Sequence, residues 1–174
     1  MRFVLFLTLF TAFVPGIAQT RPRPSADLSS EVFSESADSK ATVRRTIRAS
    51  GKIFAGTVTR VERTGPAPIS GISTTQITFR ADEAIRGVSR GQVVRVREWA
   101  GLWQAGEQYR VGEHVLLFLY PPSKLGLTSP VGGPAGRLTI DSLRQVRLKT
   151  HAQAIPRTIA MKELAAALRR VAKE

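Results

Sequence analysis

A nucleophile–base pair in this chain would have to use His114 or His151, the two histidines among 174 residues. His114 opens an apolar run, and His151 lies in the link before the last periodic segment. Neither falls in the H-x-x-x-H spacing that seats two imidazoles on one helix face for a metal. The serines of "ISGIS" (Ile69–Ser73) lack the strand–elbow–helix setting that presents a nucleophilic hydroxyl. Asp82 and Glu83 are adjacent on an alternating segment, so they point to opposite sides and read as the approach to a turn rather than an acid–base pair. Gly132-Gly133 is followed by neither a lysine nor a helix signal and makes no phosphate cradle. The chain has no cysteine, which removes thiol catalysis, zinc-finger ligation and iron–sulfur chemistry. The expectation is a non-enzyme with no catalytic residue, no metal ligand and no cofactor.

Binding chemistry has better candidates. Trp99 and Trp103 stand four apart in "EWAGLW", around Gly101, with Glu98 before them and Tyr109 shortly after. Aromatics grouped at a strand end suit a ligand platform or a protein-binding hot spot; the competing role is to plug the mouth of a barrel. Glu98, among Arg95, Arg97 and Arg110, is expected to form an ion pair. A second candidate is "PPSKLGLTSPVGG" (Pro121–Gly133), a proline-held loop that carries Leu125, Leu127 and Val131. It either folds back over the core or waits for a partner.

Charge points to a further class. Lys and Arg number 26 against 13 Asp and Glu, a formal net charge of +13. A field of that sign favours nucleic acid, anionic lipid surfaces or acidic glycans. The arginines are scattered singly along the strands, as solvated faces would have them, rather than gathered and interleaved with aromatics. The anion-binding alternative rests on Arg80, Arg95, Arg97 and Arg110.

These residues need elements to position them. "KIFAGTVTRVE" (Lys52–Glu62) reads as a strand in which Gly56 marks a bulge or a close approach. In "TQITFRAD", Ile77, Phe79 and Ala81 alternate with Gln76, Thr78, Arg80 and Asp82; in "QVVRVREW", Val94 and Val96 oppose Arg95 and Arg97. Val115–Leu119 is apolar on both alternating sets, so both of its faces must be covered. "GRLTID" (Gly136–Asp141) gives another short strand, and Arg144–Leu148 a possible sixth. Met161, Leu164, Ala165, Leu168, Val171 and Ala172 fall on one face of an amphipathic helix, with Thr158 as its N-cap. Lacking an aromatic wedge, that helix is expected to dock on the strands rather than lie on a membrane. "ATVRRTIRASG" (Ala41–Gly51) carries a helical turn or two.

The chain opens with Arg2, an apolar run from Phe3 to Val14, Pro15-Gly16 and small residues to Ala18. That layout is a secretory signal peptide, the run being too short to span a bilayer. No integral membrane segment remains once it is removed. The predicted organisation is therefore a signal peptide over 1–18, a flexible leader over 19–41, a barrel over 42–150 and a C-terminal helix over 151–174. The fold class is mainly β: a small five-to-six-stranded barrel with a C-terminal amphipathic helix and a short N-terminal helical turn.

The succession "IFAGTVTRVE", "ITFRADEAIRGVSRGQVVRVRE" and "GEQYRVGEHVLLFLY" resembles the netrin-like module shared with tissue inhibitors of metalloproteinases. The likeness covers Lys52 to Tyr120 and rests on Ile77, Phe79, Arg86-Gly87, Tyr109, Gly112 and Leu116–Phe118. It implies an oligonucleotide/oligosaccharide-binding (OB-like) barrel and a habit of binding proteins. The inhibitors of that family chelate zinc through a cysteine at the mature N-terminus, which this chain lacks, so no inhibitory residue carries over. The chain also looks like the cysteine-free, exported bacterial proteins of unknown function that share this pattern. The function expected is a secreted or periplasmic binding module for another protein or an extended ligand, using Trp99, Trp103, Tyr109, Leu125, Leu127 and Val131. The alternatives are a basic barrel that binds nucleic acid or an acidic glycan, and an exported hydrolase.

Overall fold

The computed structural model describes residues 37–66, 71–104, 108–148 and 157–173. The signal-peptide segment, the leader up to residue 36 and His151 lie outside them. Helix α1 (Ala37–Ala49) precedes strands β1 (Lys52–Thr64), β2 (Thr74–Arg86) and β3 (Val93–Trp99). A short helix α2 (Ala100–Gln104) and strand β4 (His114–Leu119) follow, then a 3-10 turn over Gly133–Gly136. Strands β5 (Arg137–Ile140), β6 (Gln145–Leu148) and β7 (Arg157–Ala160) lead into helix α3 (Met161–Val171).

The strands form one antiparallel sheet in the order β3-β2-β1-β4-β5-β6-β7. The fold is mainly β, as expected; the sheet is open and seven-stranded, where a small five-to-six-stranded barrel, closed or partly closed, was the expectation. Beyond β4 the chain extends the sheet outward through three four-residue strands instead of returning β5 to β3. The N-terminal helical turn is in fact a 13-residue helix that starts at Ala37, inside the span expected to be leader. Thr158 is not an N-cap: it pairs with Arg147 in β7, and Ala160 holds the cap position without a side-chain hydrogen bond.

Both faces of β4 are buried, as its composition required. Val115, Leu117 and Leu119 join Phe54, Val58, Ile77, Phe79, Val94, Val96 and Tyr109 in one cluster. Leu116 and Phe118 join Ile53, Val131, Ile140 and Val146 in a second, which α1 covers with Ile47 and α3 with Met161, Leu164 and Leu168. The first cluster is enclosed because the β1–β2 hairpin curls. Lys52 and Glu62 are ten residues apart on β1, about 33 Å if the strand were straight. Yet Lys52 and Gln76, the partner of Glu62, line the same small cavity.

The bend has local causes. Ala55 pairs with Glu83 and Gly56 with Ala81, leaving Asp82 as the extra residue of a β-bulge. Two further register shifts lie between Ile53 and Phe54 and between Val58 and Arg60. Each bulge adds twist and resets the alternation. Accordingly Phe79 and Ala81 face the first cluster, whereas Ile85 packs on the second. Gly56 is the close approach its type suggested: a Cβ there would stand 2.7 Å from the Arg80 carbonyl oxygen.

Candidate functional site

The loop after β4 folds back. Tyr120 N–H donates to Ser129 O and Val131 N–H to Phe118 O, and Leu119 bridges to Pro130. Inside this turn-back Ser123 N–H donates to Leu127 O, and Gly126 N–H to Ser123 O. The loop is also tied to the sheet edge, where Thr128 N–H donates to Arg97 O at 2.9 Å. The three apolar residues of the loop consequently separate. Val131 is core, Leu127 is half-buried, and Leu125 is 55% exposed at the tip.

The aromatic group separates too. Trp99 ends β3 at 56% exposure, its ring lying on Gly101, where a Cβ would collide with it. Trp103 belongs to α2, and its side chain lies outside the described residues. Tyr109 is buried edge-on to Phe79 at 5.5 Å, and its hydroxyl donates to Glu98 Oε1 at 3.1 Å. The Arg137 guanidinium sits 4.0 Å above the Tyr109 ring while pairing with Glu113 at 2.7 Å. A buried phenol so engaged braces the fold and offers no surface to a ligand. Glu98 likewise points inward, on the face opposite Arg95 and Arg97, because strict alternation on β3 puts it with Val94 and Val96.

Folding back creates a cavity of about 270 Å³ between the loop and the sheet. Lys52, Arg95 and Arg97 line it together with Gln76, Tyr120 and Thr128. None of the three cations takes part in an ion pair among the described residues. A Cβ added at Gly126 would stand 3.9 Å from Arg97 Nη1, so the loop tip lies near the guanidinium. Tyr120 is exposed beside it. The cross-strand partner of Arg97, Gln76, lines the site beside it with an amide. Arg80 lies further along β2 in a second cleft, and Arg110 opens the exposed turn before β4, apart from both. Lys52 and Tyr120 carried no signal in the sequence, since only the curl and the β1–β4 register bring them to Arg97.

His114 has a defined wiring. Thr57 Oγ1 donates to Asp82 Oδ2 at 2.7 Å and lies 2.9 Å from His114 Nδ1. With its one hydrogen committed to the carboxylate, the hydroxyl accepts from Nδ1–H. The trio ties β1, β2 and β4 together through side chains. The bulge supplies this arrangement by turning Asp82 toward Thr57 while Glu83 faces Arg169 at 2.9 Å. Among the described residues no group of three or more His, Asp or Glu is placed to hold a metal ion, and no helix is long and apolar enough to cross a membrane.

No family model, curated protein or solved structure matches the chain.

Proposed function

We propose that the chain is an exported, non-enzymatic binding module that holds an anionic polymer, nucleic acid or acidic glycan, along its β2–β3 face. The observation that carries this reading is the cavity under the Pro121–Gly133 loop, where Lys52, Arg95 and Arg97 meet without a carboxylate. Uncompensated cations grouped over polar strand residues attract phosphate or sulfate groups, and exposed Tyr120 adds a stacking surface at the rim. Export is supported by the Arg2, Phe3–Val14, Pro15-Gly16 layout of the first residues. An OB-like character and the netrin-like resemblance are supported by the curled β1–β2 hairpin and by the Thr128–Arg97 tie, which joins the chain after β4 to the β3 edge.

Binding of a single-stranded oligonucleotide and of a sulfated glycan, followed over a series of salt concentrations, tests the reading. The logarithm of affinity should fall linearly with the logarithm of salt, and Arg95→Ser/Arg97→Ser should reduce that slope by about two. Slopes that coincide in the two proteins would remove the β2–β3 face from the site.

A second reading, a protein partner, is favoured by Leu125 alone, held out at the tip of a hydrogen-bonded turn. Leu125→Ser should then abolish capture of a protein without altering the salt slope.

A further inference from the structure

A second cavity, larger than the one under the loop, belongs to neither reading. It encloses about 410 Å³ where the β2 bulge, the β2–β3 turn, the β5–β6 turn and the first turn of α3 meet. Each of these segments contributes one cation: Arg80, Arg90, Arg144 and Lys162. The two carboxylates in the wall are already occupied. Asp82 accepts from Thr57 and lies 3.6 Å from Arg80 Nε, and Glu83 pairs with Arg169. Arg90, Arg144 and Lys162 enter no ion pair among the described residues. Four cations facing two carboxylates leave an excess of two positive charges, before Arg169 is counted.

Arg144 marks the site independently. Its φ of 57° makes it the one non-glycine residue with positive φ among those described. A left-handed conformation is costly for a side chain of this kind and persists where the surroundings impose it. Here they do. Arg144 N–H donates to Asp141 O, Gln145 N–H donates to Asp141 Oδ1, and Arg144 O accepts from Met161 N–H at 2.8 Å. The last bond fixes the turn to the start of α3, setting Arg144 and Lys162 on one cavity. Arg90 is fixed similarly, in a turn closed by Gly91 N–H to Ala81 O and by Gln92 N–H to Ser89 O.

We propose that this cleft binds a small phosphate monoester, its dianionic phosphoryl group held by Arg80, Arg90, Arg144 and Lys162. Guanidinium groups offer paired N–H donors that match phosphate oxygens, and the ammonium adds a point charge. The volume suits a small ligand rather than a protein or a polymer. Exposed Leu143 supplies an apolar contact for its uncharged part.

The test is calorimetric titration of the full chain with inorganic phosphate in about 0.15 M NaCl, where diffuse attraction is screened. Saturable one-to-one binding is expected. Arg144→Gly and Lys162→Ala should each weaken it about tenfold or more, the scale of one lost charge-assisted hydrogen bond. Arg144→Gly should melt no lower than the parent, since glycine accepts the backbone conformation, so a loss of affinity there is not a loss of fold. Arg95→Ser/Arg97→Ser should bind phosphate as the parent does. Absence of saturation, undiminished affinity in both cleft variants, or an equal loss in the β3 variant would overturn the site. If Arg144→Gly does not fold, Lys162→Ala decides the matter on the same readout.

Discussion

The Thr128 amide donates to the Arg97 carbonyl at 2.9 Å, fastening the loop that leaves β4 to the far edge strand of the sheet. Removing that donor isolates its contribution. Thr128→Pro should lower stability by about 1 kcal/mol or more and raise amide exchange across residues 121–130. Thr128→Val keeps the amide and loses the hydroxyl bond to Tyr120 O, so it should leave the loop protected near Arg97. Equal exchange in the two variants would show that the amide is not the tie.

Gly56 faces the Arg80 carbonyl across the bulge, with Phe54 on its other side. A methyl group there must push backbone, so Gly56→Ala should cost about 1–3 kcal/mol. The same change at exposed Gly65, which has open space around it, should be nearly silent. Chemical denaturation of both variants provides the comparison.

Tyr109 and Glu98 are both buried and joined by the phenolic hydrogen bond. Tyr109→Phe should destabilise by about 1–3 kcal/mol because a buried carboxylate loses a donor. In a double-mutant cycle with Glu98→Leu, which removes the acceptor, the two effects should not add, since both changes break the same hydrogen bond. Strict additivity would mean the bond contributes nothing.

Thr57, committed to Asp82, requires His114 to carry its hydrogen on Nδ1. Long-range proton–nitrogen NMR of the neutral imidazole should find Nδ1 protonated and Nε2 bare. Thr57→Val should erase that preference and cost about 1–2 kcal/mol, because Asp82 loses its hydroxyl donor.

The alternations of Ile77, Phe79 and Ala81 and of Val94 and Val96 made β2 and β3 legible from composition, and the doubly apolar β4 announced covers on both sides. The bulge at Asp82 was not legible. It depends on which β1 residues stand opposite, a register that one strand does not encode. Glu98 shows a different limit. Its sequence neighbours Arg95 and Arg97 suggested an ion pair, while the period of two had already placed it with Val94 and Val96. Its partner Tyr109 is distant enough in sequence that only folding joins them. The Arg157–Ala160 strand is too short to show a period and was absorbed into the approach to α3. The basic cavities combine single cations from separate turns, so no local pattern announces either.

An open sheet keeps two raw rims, and a raw rim invites a copy of itself. On β3 the rim alternates Arg95 and Arg97 with core residues and is overlain at Arg97 by the loop; on β7 it is four residues long and runs straight into α3. Strand-to-strand stacking of two chains is thus obstructed by charge and cover at one border and by brevity at the other. The arginines that mark the β3 border consequently serve colloidal stability, because two copies meeting there would set like charges against each other.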